Sequence, residues 1–135
     1  MNATAASTEP PVCPCGTGHS YTDCCGRWHA GPLHLQAPDA AALMRSRYTA
    51  YVLSLTDYLL ATWHPTTRPA SMEASDASLR WLGLDVRAHT VIDADHATVA
   101  FVARSKVGGR AHRLHEVSRF VREGGRWYYV DGDPR

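Results

Sequence analysis

The chain has 135 residues, enough for one domain and a small appendage but not for two full domains. Apolar residues make up 44% and charged residues 20%, which excludes a disordered or membrane-embedded chain, and a formal net charge of +1 points to no strongly charged partner. The opening stretch MNATAASTEPPV lacks the charged and apolar regions of a secretory leader, and no run approaches the ~18 apolar residues of a membrane span. The expectation is a cytoplasmic protein with no membrane association, with a flexible N-terminal tail ahead of the first ordered element.

That element is CPCGTGHSYTDCCG, residues 13–26, which holds all four cysteines of the chain. Cys13 and Cys15 form one pair and Cys24 and Cys25 the other, with eight residues between the pairs. In a reducing compartment such a cluster argues for metal rather than disulfides. A bridge between the adjacent Cys24 and Cys25 is also disfavoured. Their Cα atoms lie ~3.8 Å apart, whereas ordinary bridges span ~4.4–6.8 Å. Zinc takes four thiolates in a tetrahedron, and Gly16 and Gly18 supply the sharp turn between the pairs. Arg27, His19 and His29 are placed to offset the charge of the site. A catalytic zinc needs an open position and a base, and only Asp23 is close; the site is therefore read as structural Zn2+. His29 remains an alternative fourth ligand.

From residue 38 the period becomes helical. Pro38–Asp39 reads as a helix start, and Leu43, Met44, Tyr48, Tyr51, Val52 and Leu55 form an apolar stripe. Ser54–Leu55–Thr56 divides a long helix from a short one that reaches Trp63. Arg47 falls inside the stripe, about 40° from Leu43 and about 60° from Met44, so it must snorkel or find a partner. Arg45 points elsewhere. Residues 65–79 read as loop or short helix.

From Arg80 the period is two. Strands are expected at Arg80–Ile92, Ala97–Lys106, Arg110–Arg122 and Arg126–Asp131, joined by turns at DADH, VGGR and EGGR. Helices followed by a meander predict an α+β fold with the helices on one face of a curved antiparallel sheet. In the third strand Leu114, Glu116, Ser118 and Phe120 share a face, taken as the inner one. Glu116 is then expected to meet Arg47 in a buried ion pair, since each alone bears a large desolvation cost.

The histidines suggest no further metal site. His112 and His115 point to opposite faces of a strand, and HRLHE is not the helical zinc-protease pattern. His64 is read as lining a pocket mouth or packing on an aromatic ring. No Ser-His-Asp spacing, phosphate loop or cofactor fingerprint is present.

CPCGTGHSYTDCCG resembles the SEC-C zinc motif found at the C-terminus of the SecA preprotein translocase motor and in small bacterial proteins. The match runs through Cys13, Pro14, Cys15, Gly16, Gly18, Tyr21, Cys24 and Cys25. Thr17 replaces the usual serine, and Cys25 stands where SecA has histidine. With LMRSRYTAYV, YLLATWHP, HEVSRF and RWYYVDGD, the whole chain resembles the YchJ-like family. That resemblance implies a SEC-C motif with its tail over residues 1–31 and, over 36–135, a nuclear-transport-factor-2-like (NTF2-like) domain. Such a domain is a cone in which helices close over a bent sheet around a cavity. It implies no catalytic residues.

Three functions follow as expectations. The first is a protein partner docked by the zinc knuckle, with the cone as scaffold. The second is a small-molecule ligand or a metal-independent reaction in the cone, with Arg47, Tyr48, Trp63, Glu116 and Trp127 as wall residues. The third is RNA or ribosome binding through Arg104–Arg126, which has seven basic residues against Glu116 and Glu123, with Trp127, Tyr128 and Tyr129 for stacking. Metal removal is expected to unfold the knuckle and spare the cone, on the view that the apolar core does not use the thiols.

Overall fold

The computed structural model describes residues 11–73 and 76–135; residues 1–10, where the flexible tail was expected, lie outside it. A 3-10 turn at Tyr21–Asp23 leads into α1 (Gly26–His29), α2 (Ala40–Leu53) and α3 (Thr56–Ala61). Four strands follow, β1 (Arg80–Asp93), β2 (His96–Val107), β3 (Arg110–Glu123) and β4 (Arg126–Pro134). They form one antiparallel sheet in the order β1-β2-β3-β4, an α+β meander whose turns lie at the expected places. The described part of 65–79 holds turns and no helix.

Each boundary has a local cause. The Asp39 side chain accepts the Ala42 N–H at 2.7 Å and caps α2. At the other end Ser54 adopts the left-handed conformation, φ 59°, and its N–H closes on Ala50 and Tyr51 carbonyls. The chain then restarts as α3, which is the division expected at Ser54–Leu55–Thr56. In the sheet, register shifts at Trp81/Gly83, Val86/Ala88 and Val91/Asp93 on β1, and opposite Arg119/Phe120 at Val130 on β4, mark bulges. Bulges increase local twist and bend the strand, which curves the sheet over the helices.

The core differs from expectation in one respect. Leu43, Met44 and Tyr48 turn an apolar face of α2 to Phe101, Val99 and Phe120 of the sheet, as the stripe predicts. Ser46 and Thr49 are fully buried as well. They lie under the knuckle, whose four cysteines and Trp28 belong to the same buried cluster as Leu43 and Phe101. The expectation that the cone's core leaves the thiols out is therefore wrong. The knuckle covers a second face of α2, made of small polar residues that no hydrophobic count singles out.

Candidate metal centre and cone cavity

The knuckle folds back on itself at Gly16 and Gly18, whose φ values of +88° and +87° suit residues without a Cβ. This returns the Cys13 N–H to the His19 carbonyl at 2.8 Å, and the 3-10 turn brings Cys24 and Cys25 over the first pair. All four Sγ atoms lie within 4.8 Å of one another, and all four cysteines are buried. Cys15 and Cys24 Sγ are 3.5 Å apart, well beyond a ~2.05 Å disulfide. A tetrahedral site with Zn–S near ~2.3 Å has sulfur–sulfur edges of about 3.8 Å, so the thiols fit such an ion after small adjustments.

Hydroxyls tend the sulfurs. Thr17 Oγ1 lies 3.2 Å from Cys24 Sγ, so the threonine that replaces the usual serine places its hydroxyl on a sulfur. Thr49, from α2, donates to Cys25 Sγ at 3.4 Å and lies 3.7 Å from Cys13 Sγ. Within the cluster, the Cys25 thiol holds Cys15 well below the ordinary thiol range, at about 4, and the same contact pushes Cys25 up.

His29 is not a fourth ligand. Its Nε2 donates to the Ser46 carbonyl at 2.8 Å and its Nδ1 accepts from the Tyr21 hydroxyl at 2.7 Å, so both ring nitrogens are engaged. Burial lowers its pKa, consistent with a neutral ring. Arg45 leaves the apolar stripe to donate to the Cys15 carbonyl at 2.9 Å, and Arg27 donates to the Cys24 carbonyl at 3.0 Å. Asp23 is exposed, and it is not among the side chains gathered at the site.

The second site is a cavity of about 180 Å³ between α2 and the concave face of the sheet. Met44, Tyr48, Trp81, Phe101 and Leu114 form an apolar wall; Arg47, Glu116 and Ser118 bring polar groups to it. Of the five expected wall residues, Arg47, Tyr48 and Glu116 line this space. Trp63 stands behind Arg47, and Trp127 packs on the core from β4 without lining the cavity. Tyr51, Trp81, Ser118 and Tyr129 also line it. Of these, Ser118 lies on the inner face expected for the third strand, whereas Tyr129, read as a stacking ring, turns inward instead.

Arg47 and Glu116 share the cavity but do not form the expected ion pair; no carboxylate lies within 4.0 Å of Arg47 among the described residues. The cation, 4% exposed, is held in other ways. Nη1 donates to the Leu59 carbonyl at 2.8 Å and to Thr62 Oγ1 at 2.7 Å, both at the C-terminal end of α3. Its guanidinium also lies over the rings of Tyr129, at 4.5 Å, and Trp63, at 5.1 Å. Glu116, on the inner face of β3 as read, accepts instead from Ser118 Oγ at 2.6 Å. Its carboxylate lies over Gly132, where any Cβ would collide with it. Tyr129 sits in both fields: burial and then Glu116 push its hydroxyl up to about 12, against an opposing pull from Arg47.

The remaining candidates are placed as follows. His64 packs edge-on against Tyr128 and its Nε2 lies 3.0 Å from Glu123. In the basic stretch, Arg119 is engaged by Asp131 and Asp133, and Arg122 by Asp95. Tyr129 faces inward, Trp127 packs on the core, and Arg126 and His64 cover Tyr128, so these three rings do not form an open stacking platform.

A family model described as the middle NTF2-like domain of YchJ matches residues 39–132. A UPF0225 protein of Bordetella bronchiseptica is 62% identical over 128 residues, covering 95% of this chain and 96% of its own. One from Methylibium petroleiphilum is 59% identical over 128 residues, covering 95% and 92%. Among solved structures, a SEC-C motif containing protein from Rhodopseudomonas palustris superposes with a TM-score of 0.78 at 36% identity, covering 90% of this chain and 96% of its own. Another from Psychrobacter arcticus gives 0.75 at 30% identity, covering 90% and 81%. Among the described residues no helix is long and apolar enough to cross a membrane.

Proposed function

Because the chain belongs to the YchJ-like family of UPF0225 proteins, we propose that it is a zinc-stapled protein that binds a small molecule in its cone. Cys13, Cys15, Cys24 and Cys25 would hold one structural Zn2+, which closes the knuckle against α2 and supplies no reactive position. The observation that carries the ligand reading is the convergence of Arg47, Glu116 and Ser118 on one largely apolar cavity. A few placed polar groups in an apolar recess are the usual make-up of a ligand site. Elemental analysis of protein purified without added metal should give about one zinc per chain. Native mass spectrometry of gently purified protein should show one retained small molecule, lost on denaturation. A chain that carries no zinc and no ligand under both measurements would overturn the proposal.

A second reading keeps the knuckle as a docking element for a protein partner, favoured by the exposed apolar side chains of Val12 and Leu33 on and beside it. Deleting residues 1–31 would strip a face of α2, so the suitable test is the surface pair Val12→Ser and Leu33→Ser. Unchanged capture of a partner identified with the wild-type chain would set this reading aside.

A further inference from the structure

We infer that the cone cavity is shaped for a small zwitterion of the α-amino-acid type, with its carboxylate on Arg47, its ammonium on Glu116 and an apolar side chain between Trp81, Phe101 and Leu114. This rests on the reading of the cone as a ligand site and assigns the class of ligand.

The first reason is an incompletely matched charge. Arg47 is 4% exposed, and among the described residues no carboxylate lies within 4.0 Å of it. A guanidinium has five N–H donors in a fixed fork. Those of Nη1 go to the Leu59 carbonyl and Thr62 Oγ1, Tyr51 stands beside the guanidinium, and Arg47 also lines the cavity. Carbonyl and ring contacts reduce the cost of burying the cation but bring no negative charge. An anionic group in the cavity supplies it, and the planar guanidinium suits a carboxylate.

The second reason is the placement of Glu116. It reaches the same cavity from the sheet while Arg47 reaches it from the helix, and the two do not neutralise each other. The carboxylate is seated deliberately: Ser118 Oγ donates to Oε2, and the absence of a side chain at Gly132 makes room for it. An ionised carboxylate only accepts hydrogen bonds, so what it meets must donate. The cavity therefore carries a cationic and an anionic group together with an apolar wall from Met44, Trp81, Phe101 and Leu114. A molecule with both charges on one carbon skeleton satisfies both groups.

The third reason is size. A volume of about 180 Å³ equals that of about six waters, at ~30 Å³ each. It is below the ~300–1,000 Å³ of sites for drug-sized ligands and suits a ligand of roughly six to ten non-hydrogen atoms.

The test uses four probes with one branched skeleton: L-valine, isovalerate, isobutylamine and isobutanol. Each is titrated by calorimetry into the full-length, zinc-loaded protein. L-valine should bind about tenfold or more tighter than isovalerate, and isovalerate about tenfold or more tighter than isobutanol, as expected for one charge-assisted contact each. Glu116→Gln should abolish the preference for L-valine over isovalerate without weakening isovalerate binding. Arg47→Lys should weaken isovalerate binding, provided its circular dichroism and melting match the wild type; the probe series and Glu116→Gln decide the matter without it. Equal binding of isobutanol and L-valine would overturn the zwitterion inference and leave a plain apolar ligand site. Isobutylamine binding tighter than isovalerate, or a Glu116→Gln variant that keeps the L-valine preference, would also overturn the assignment of poles. No binding by any of the four would overturn the ligand-site reading itself.

Discussion

Thr49 and Arg47 are close neighbours on α2 that serve different sites. Thr49 donates to Cys25 Sγ, and removing its hydroxyl without changing its shape tests that contact alone. Outer hydrogen bonds of this kind typically tune metal affinity ~10–100-fold. Thr49→Val should therefore lower zinc affinity by about tenfold or more in a chelator competition while the far-ultraviolet spectrum stays that of wild type. Thr49→Ser should restore it. Arg47 acts through a carbonyl, a hydroxyl and rings, so its loss leaves Thr62 Oγ1 without its donor and the Leu59 carbonyl with only the 3.3 Å contact from Thr62 Oγ1. Arg47→Ala should cost ~2–4 kcal/mol in denaturant unfolding. Glu116 keeps its Ser118 contact whatever happens to Arg47. Glu116→Gln should thus cost ~0.5 kcal/mol or less, and the double-mutant coupling between the two should stay below ~0.5 kcal/mol. A coupling of several kcal/mol would restore the ion pair that the arrangement of the cavity argues against.

At the level of elements, α2 is the beam that both sites share. Its start depends on one side chain, because Asp39 caps it through the Ala42 N–H at 2.7 Å. Asp39→Ala should cost ~1 kcal/mol, read as a fall in denaturation midpoint with an unchanged slope, and Asp39→Ser should recover most of it. The strand pair β3–β4 shows how polar residues on the outer face are used. Arg119 engages Asp131 and Asp133, and that engagement lowers the Asp133 pKa. A carboxylate with a lowered folded pKa stabilises the fold above its unfolded value and loses that contribution as pH falls through the folded one. Arg119→Ala should therefore flatten stability against pH on the acid side only. An equal change at pH 7 and at pH 2 would show that Arg119 acts through packing instead.

For the whole molecule, the staple and the cone form one buried cluster, which changes what metal removal should do. Chelation should raise hydrogen exchange in the knuckle and also along α2 around Ser46 and Thr49, because their cover is lost. Exchange confined to residues 13–29 would show that the cone stands alone. Several features were legible from the chain itself because their causes are local. The four-cysteine spacing, the Asp39 start, the break at Ser54 and the Gly-Gly turns each depend on a few neighbouring residues. The alternation of β3 also identified its inner face, so Glu116 and Ser118 were correctly turned inward. Partners across space were not legible. Arg47 stood out in its stripe, yet whether a carboxylate, carbonyls or aromatic rings would receive it depended on where α3 ends and how β4 lies against it. The polar face of α2 had no pattern to mark it, since Ser46 and Thr49 are buried by the knuckle rather than by their own hydrophobicity. Local sequence determined the elements and the four-cysteine cluster, because backbone preference and cysteine spacing act over short range; the charge partners and the shared core were decided only by packing, because they join residues that the chain leaves far apart.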